Sequence, residues 1–263
     1  MYDFQYHRPQ NVADAAKAVG GATDGKLMAG GMTLIPTLKQ RLAKPSDVVD
    51  LGRIAELKGI KRDGNAIVIG AMTKHVEVAT SDVVKGAIPS LAQLAGGIGD
   101  PAVRNRGTIG GSIANNDPAA DYPAAVLGLD ATVITNKRKI AAADFFKGMF
   151  ETALGEDEII TAVSFPIPEK ASYAKFRNPA SRYAIVGVFV AKTAGGVRVA
   201  VTGAAPVVFR QKEMEAALSK SFNADAIAGI KVKEDGLNAD IHASAEYRAH
   251  LVGVMAKRAI AAA

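Results

Sequence analysis

Arg104-Asn-Arg-Gly-Thr-Ile-Gly-Gly-Ser-Ile113 sets a Gly-Gly pair beside two hydroxyl residues, Thr108 and Ser112. Met28-Ala-Gly-Gly-Met-Thr-Leu-Ile35 repeats the layout with Thr33. Glycine lets backbone N–H groups converge and lets a phosphate approach the main chain, and hydroxyls add donors. The first loop follows a short strand, 26–29, and enters a helix whose N-terminus favours an anion. Pro36 fits the first turn of that helix, Leu38 and Leu42 share a face, and Lys44-Pro45 stops it. Either loop alone would be an ordinary turn in a chain with 26 glycines. Two of the same layout predict a grip on the two phosphates of one dinucleotide from opposite sides. The dinucleotide fingerprint G-x-G-x-x-G is absent from both. Gly20 to Gly25 followed by Lys26 nearly spells a phosphate loop, but Leu27 replaces the hydroxyl residue that must hold magnesium.

Working outward, Asn11 caps a helix in which Val12, Ala15, Ala16 and Val19 repeat at helical spacing, and Gly20-Gly21 ends it. Strands are expected over 47–51, 66–70, 131–135 and 158–165, and helices over 74–81, 90–96 and 122–129. The glycine-rich segment before 122 reads as loop. Pro166-Ile-Pro168-Glu-Lys170 reads as a linker. Beyond it come Val- and Ala-rich strands at 172–177, 183–193 and 197–203, the last two joined at Ala194-Gly195-Gly196. Helices at 211–219 and 244–263 complete the chain, with Tyr247, Leu251, Val254 and Met255 on one face of the last. The pattern predicts an α+β domain over 1–168, in two parts of roughly 1–55 and 56–168, and a smaller antiparallel-sheet-and-helix domain over 169–263.

Composition narrows the chemistry. The chain has 263 residues, 49% apolar, and no cysteine, so it offers no thiolate nucleophile, disulfide or iron–sulfur ligand set. Its four histidines, at 7, 75, 242 and 250, form no zinc-like cluster. His7 and His75 read as packing or surface residues. Redox chemistry would need a bound organic cofactor. The +6 charge is dispersed, aromatics are few, and no basic run exceeds Lys137-Arg138-Lys139, so nucleic acid is not the expected partner. An anionic cofactor or an acidic protein partner explains the balance more simply. No signal peptide and no membrane-length apolar stretch is legible, and the expected location is the cytoplasm.

Ala29-Gly-Gly-Met-Thr-Leu-Ile-Pro36, Ile69-Gly-Ala-Met-Thr73, Val103 to Asn115 and Asp117-Pro-Ala-Ala-Asp121 together resemble the FAD-binding medium subunit of the xanthine dehydrogenase and aerobic carbon monoxide dehydrogenase family. The resemblance continues through Tyr173-Ala-Lys-Phe176, Ser181-Arg-Tyr-Ala-Ile-Val-Gly187 and Glu246-Tyr-Arg248, in order along the whole chain. It implies the two-part FAD domain of vanillyl-alcohol-oxidase-like flavoproteins and the family's small C-terminal domain. It implies FAD binding by Ala29, Gly30, Gly31, Met32, Thr33 and Leu34 on one side and Thr108, Gly110, Gly111, Ser112 and Asn115 on the other. Asp121 would hold a sugar portion; Lys175 and Tyr183 would lie near the isoalloxazine. Met32 departs from relatives, which often carry Thr or His there. Neither Gly-Gly loop contains His or Cys, so the FAD would be non-covalent.

The resemblance further implies an electron-transfer role. Iron–sulfur clusters and molybdopterin would reside in an iron–sulfur subunit and a molybdenum-cofactor subunit, assembled as a heterotrimer or its dimer. A self-contained FAD-dependent reductase or oxidase, or a cofactor-free scaffold, are the alternatives.

Overall fold

The computed structural model describes residues 1–263 and consists of three main sheets packed with helices. The first sheet is small and parallel, in the order Gln5–His7, Asp47–Asp50, Gly25–Met28. The helix Val12–Gly20 covers it, with the Asn11 side chain accepting from the Asp14 N–H as its cap. Val49, Leu51, Ile54 and Leu57 close the core beneath.

The second sheet is antiparallel, ordered Ile60–Asp63, Ala66–Gly70, Ile160–Pro166, Thr132–Thr135, Lys139–Ala141. Ile160–Pro166 lies between Ala66–Gly70 and Thr132–Thr135, so this sheet joins segments distant in sequence. Helix Ile109–Asn115 packs on the strands Ala66–Gly70 and Ile160–Pro166, while Pro89–Gly96 and Tyr122–Gly128 lie against the C-terminal strands, so that Leu91, Leu94, Ile109, Ile113 and Val126 share one core with residues of both sheets.

The third sheet, Lys170–Arg177, Ala184–Thr193, Gly196–Thr202 and Phe209–Arg210, is an antiparallel meander. Gly196, at φ +107°, closes the hairpin that Ala194-Gly195-Gly196 predicts. The long helix Ala245–Ala261 lies on one face of this sheet.

Several expectations are corrected. The helix after the first loop is only Leu34–Lys39, and Leu42, 74% exposed, lies outside it. The glycine-rich segment before 122 is partly helical, because burying Ile109 and Ile113 outweighs the poor helix propensity of Gly110 and Gly111. Asn116 ends that helix in the left-handed conformation, φ 44°, that asparagine tolerates. The segment 166–170 does connect the second and third sheets, and it is held in place: Ile167 N–H donates to Asn65 O and Glu169 N–H to Lys192 O. On the last helix the buried stripe runs through Arg248, Leu251, Val252, Met255 and Ala259, while Tyr247 is exposed and packs edge-on to Phe176.

Candidate functional site

A cleft of about 890 Å³ opens where the two Gly-Gly loops meet. It is lined by Ala29 to Leu34, Thr108, Gly110, Gly111, Ser112, Asn115, Asp121 and Tyr183. Of the residues singled out from sequence, only Lys175 is missing from its wall. Leu27, Leu51, Met72, Val103 and Ile159 add apolar lining; Met72 and Val103 fall inside quoted motifs, while Leu27, Leu51 and Ile159, as isolated aliphatic residues, carry no sequence signal for a site. His75 and Ser181 also line it, and both sit inside or beside the quoted motifs.

The loops are held together at backbone distance. A Cβ at Gly30 would land on the Arg106 carbonyl, 2.7 Å from its carbon and 2.9 Å from Gly107 Cα. Gly31 adopts φ +74°, which disfavours any side chain. The Ala71–Thr73 segment supports the second loop from below. Gly110 N–H donates to Ala71 O at 2.8 Å and Ile109 N–H to Thr73 O at 3.1 Å. A Cβ at Gly110 would sit 2.6 Å from Ala71 Cβ, so its glycine serves this packing.

Hydrogen bonding divides the two loops. None of the backbone N–H groups from Ala29 to Thr33 donates to a protein acceptor. In the second loop the amides of residues 109–112 all have protein acceptors, while the Thr108 N–H has none. Gly111 N–H donates to Thr108 Oγ1 at 3.1 Å and Ser112 N–H to Thr108 O at 3.0 Å. The first loop therefore leaves a run of amides without protein acceptors, whereas the second leaves chiefly side-chain groups and the Thr108 amide. Thr108 keeps its hydroxyl proton, while Ser112 and Asn115 have unpaired polar ends.

Asp121 lines the cleft, whereas Lys175 stands behind it. Both are 4% exposed and form a buried ion pair, Lys175 Nζ lying 2.9 and 3.0 Å from the two carboxylate oxygens. Tyr173 O–H donates to Asp121 at 2.5 Å, and Lys175 donates to Gly97 O at 3.0 Å. Burial raises the Asp121 carboxyl above its usual range, against the opposing pull of Lys175 and Tyr173. Asp121 thus meets the cleft with only its remaining lone pairs, and Lys175 acts on Asp121 rather than on the cleft. Asp121 does not cap the helix that follows it.

Among the histidines, His7 is paired with Asp47 near the surface. His75 is buried in the cleft wall, 4% exposed, its ring 5.3 Å from that of Tyr122. Burial and the nearby Arg104 guanidinium lower its pKa to about 4. The unfolded imidazole titrates near ~6.5. Its folded pKa being depressed, unfolding takes up a proton between these values. The stability it contributes is therefore complete above pH ~6.5 and is lost as pH falls towards 4, by roughly 3 kcal/mol. His75→Gln should flatten that part of the pH–stability curve in urea titrations. Curves of equal slope for the variant and the parent chain would contradict the assignment.

The donor set fits a dinucleotide: unspent amides for anionic oxygens, hydroxyl and amide side chains opposite, and apolar walls for rings. No group of His, Asp or Glu could hold a metal ion. No helix is long and apolar enough to cross a membrane.

Comparison with known proteins gives a consistent result. The family described as "FAD binding domain in molybdopterin dehydrogenase" matches residues 2–168, and "CO dehydrogenase flavoprotein C-terminal domain" matches 171–263. The carbon monoxide dehydrogenase medium chain of Hydrogenophaga pseudoflava is 35% identical, over 99% of this chain and 96% of the relative. The glyceraldehyde dehydrogenase medium chain of Sulfolobus acidocaldarius is 34% identical, over 98% and 97%. Among solved structures, a chain of the cyanide-inactivated Cu,Mo-CO dehydrogenase superposes with a TM-score of 0.90 at 33% identity, covering 99% of this chain and 98% of the other.

Proposed function

Since this chain belongs to the family of FAD-binding medium subunits of molybdopterin dehydrogenases, we propose that it takes electrons from iron–sulfur clusters of a partner subunit and delivers them to an external acceptor. The observation that carries this reading is the run of unspent amides from Ala29 to Thr33 at the edge of a cleft of about 890 Å³. FAD, when bound, supplies a carrier that accepts electrons singly or in pairs. In this reading Gly30 to Thr33 hold the diphosphate through backbone N–H groups, so Met32 serves through its amide and its side chain is free to vary. Thr108, Ser112 and Asn115 donate from the facing wall. Asp121, fixed by Lys175 and Tyr173, takes a sugar hydroxyl on its free lone pairs. Tyr183 covers the end nearest the C-terminal sheet.

In this reading the clusters, for which this chain has no cysteine ligands, belong to a separate iron–sulfur subunit and molybdopterin to a third, the three assembling as a heterotrimer or its dimer. The complexes of relatives are named for carbon monoxide and glyceraldehyde while sharing this medium chain at 34–35% identity. That variety supports a substrate chosen outside this chain. The cytoplasm is the compartment we assign, to be checked by fractionation.

The purified chain should be yellow, with flavin near one per chain, released into the supernatant on acid precipitation. Flavin left in the pellet would disprove non-covalent binding, and a colourless chain that takes up no FAD would favour a scaffold. Mixed with purine, aldehyde or carbon monoxide and an artificial acceptor, it should show no turnover. Robust turnover without a molybdenum subunit would promote the self-contained flavoenzyme.

A further inference from the structure

Tyr183 stands at the cleft rim immediately before the strand Ala184–Thr193, and it is held by an apparatus that the sheet does not require. Asn178, 4% exposed, lies under it. Its backbone N–H donates to Tyr183 O at 2.9 Å, and its carbonyl accepts from Arg182 N–H at 2.9 Å. The resulting turn places Arg182 at φ 64°, a conformation costly for a side chain of this size. The Asn178 side chain is fully committed. Its Oδ1 accepts from Ala180 N–H at 2.9 Å. Its Nδ2 donates to the Tyr183 hydroxyl at 3.0 Å and lies 3.3 Å from His242 Nδ1.

Both Asn178 amide protons find acceptors only if His242 Nδ1 carries a lone pair, which places the imidazole proton on Nε2. The His242 ring also meets the Tyr183 ring edge to face, centroids 6.0 Å apart and planes at 76°. His242 is in turn fixed from behind. Asp240 Oδ1 accepts from the His242 and Ala243 N–H groups at 2.9 and 3.1 Å. Asp240 Oδ2 accepts from Arg248 at 2.7 Å, and that buried guanidinium is tied to Ile185 O and Gly203 O. The sequence 248–240–242–178–183 is thus a connected set of contacts from the last helix to the cleft rim. Because Tyr183 accepts from Asn178, its own hydroxyl proton remains free to donate.

We infer that Asn178 and His242 are positioning residues that hold Tyr183 in one orientation over the cleft mouth, so that its ring screens the exposed end of the bound cofactor from solvent. This rests on the FAD reading above. It assigns the loop 238–243, remote in sequence from both Gly-Gly loops, to the cofactor site.

The test uses the FAD-loaded chain and iodide quenching of flavin fluorescence, which reads solvent access to the ring. His242→Ala and Tyr183→Phe should each raise the quenching constant about threefold to tenfold, the range that one lost neutral hydrogen bond gives. The double variant should exceed neither single one, because both remove the same latch. His242→Phe, which keeps the ring contact and loses the acceptor, should fall between parent and His242→Ala. A second readout needs no flavin: ¹⁵N NMR of the FAD-free chain should find the His242 proton on Nε2. Unchanged quenching in His242→Ala, multiplicative effects in the double variant, or a proton on Nδ1 would each overturn the inference. A parent chain that binds no FAD would instead overturn the functional reading, and the screening role with it.

Discussion

Lys175→Met should cost the fold about 3–5 kcal/mol in urea unfolding, the range for removing one partner of a buried ion pair. The reason is local. Asp121 and Lys175 are both 4% exposed, and without Lys175 the carboxylate would keep only Tyr173 as a partner. Deprived of that charge, Asp121 would take up a proton rather than remain ionised in the interior. The double variant Asp121→Asn with Lys175→Met should recover a large part of the loss, since it leaves no orphaned charge. The pair also joins the Lys170–Arg177 strand to residues 97 and 121, so the single variant should loosen the cleft wall as well as the sheet. A loss below about 1 kcal/mol, the range of exposed ion pairs, would mean that water reaches this pair in solution.

The second large effect separates two glycines that look alike in sequence. Gly30→Val forces a side chain into the Arg106 carbonyl and drives the two loops apart. If two of the hydrogen bonds from the first loop to an anionic cofactor are lost, at about 1.5–3 kcal/mol each, FAD affinity should fall on the order of 100-fold or more. Gly110→Val instead meets Ala71 beneath the loop, 2.6 Å from its Cβ. Its main effect should be overpacking, a loss of about 3 kcal/mol in fold stability. Gly111→Ala meets Thr108 Oγ1 at 3.0 Å and Ala29 Cβ at 3.2 Å, contacts that small shifts relieve. Titration with FAD alongside thermal unfolding distinguishes these outcomes. Equal affinity for Gly30→Val and the parent chain would remove the first loop from the site.

Much of this was legible in the sequence, for physical reasons. Glycine pairs flanked by hydroxyls marked the cleft because only glycine permits the Gly30 contact and the Gly31 backbone. The strand periodicity of 184–193 and the Gly195-Gly196 turn defined the last sheet. The helix Ile109–Asn115 was hidden because its propensity is poor and tertiary burial forms it. The strand Gln5–His7 was hidden because three residues, two of them exposed, carry no pattern. Lys175 was noticed only through a resemblance, and its burial could not be foreseen, since it depends on residues 97 and 121 far along the chain. The division of amides between the loops was illegible for the same reason: Gly110 is satisfied by Ala71, which nothing near 110 encodes.

That division bears on the order of events in the life of the chain. The wall built by Gly110 to Ser112 closes its hydrogen bonds as ordinary core and is finished when the polypeptide has folded. The row from Ala29 to Thr33 must be hydrated until an anion replaces the water. On this division the wall of the cleft belongs to the fold itself, and only the lip at 29–33 is left for a ligand to complete.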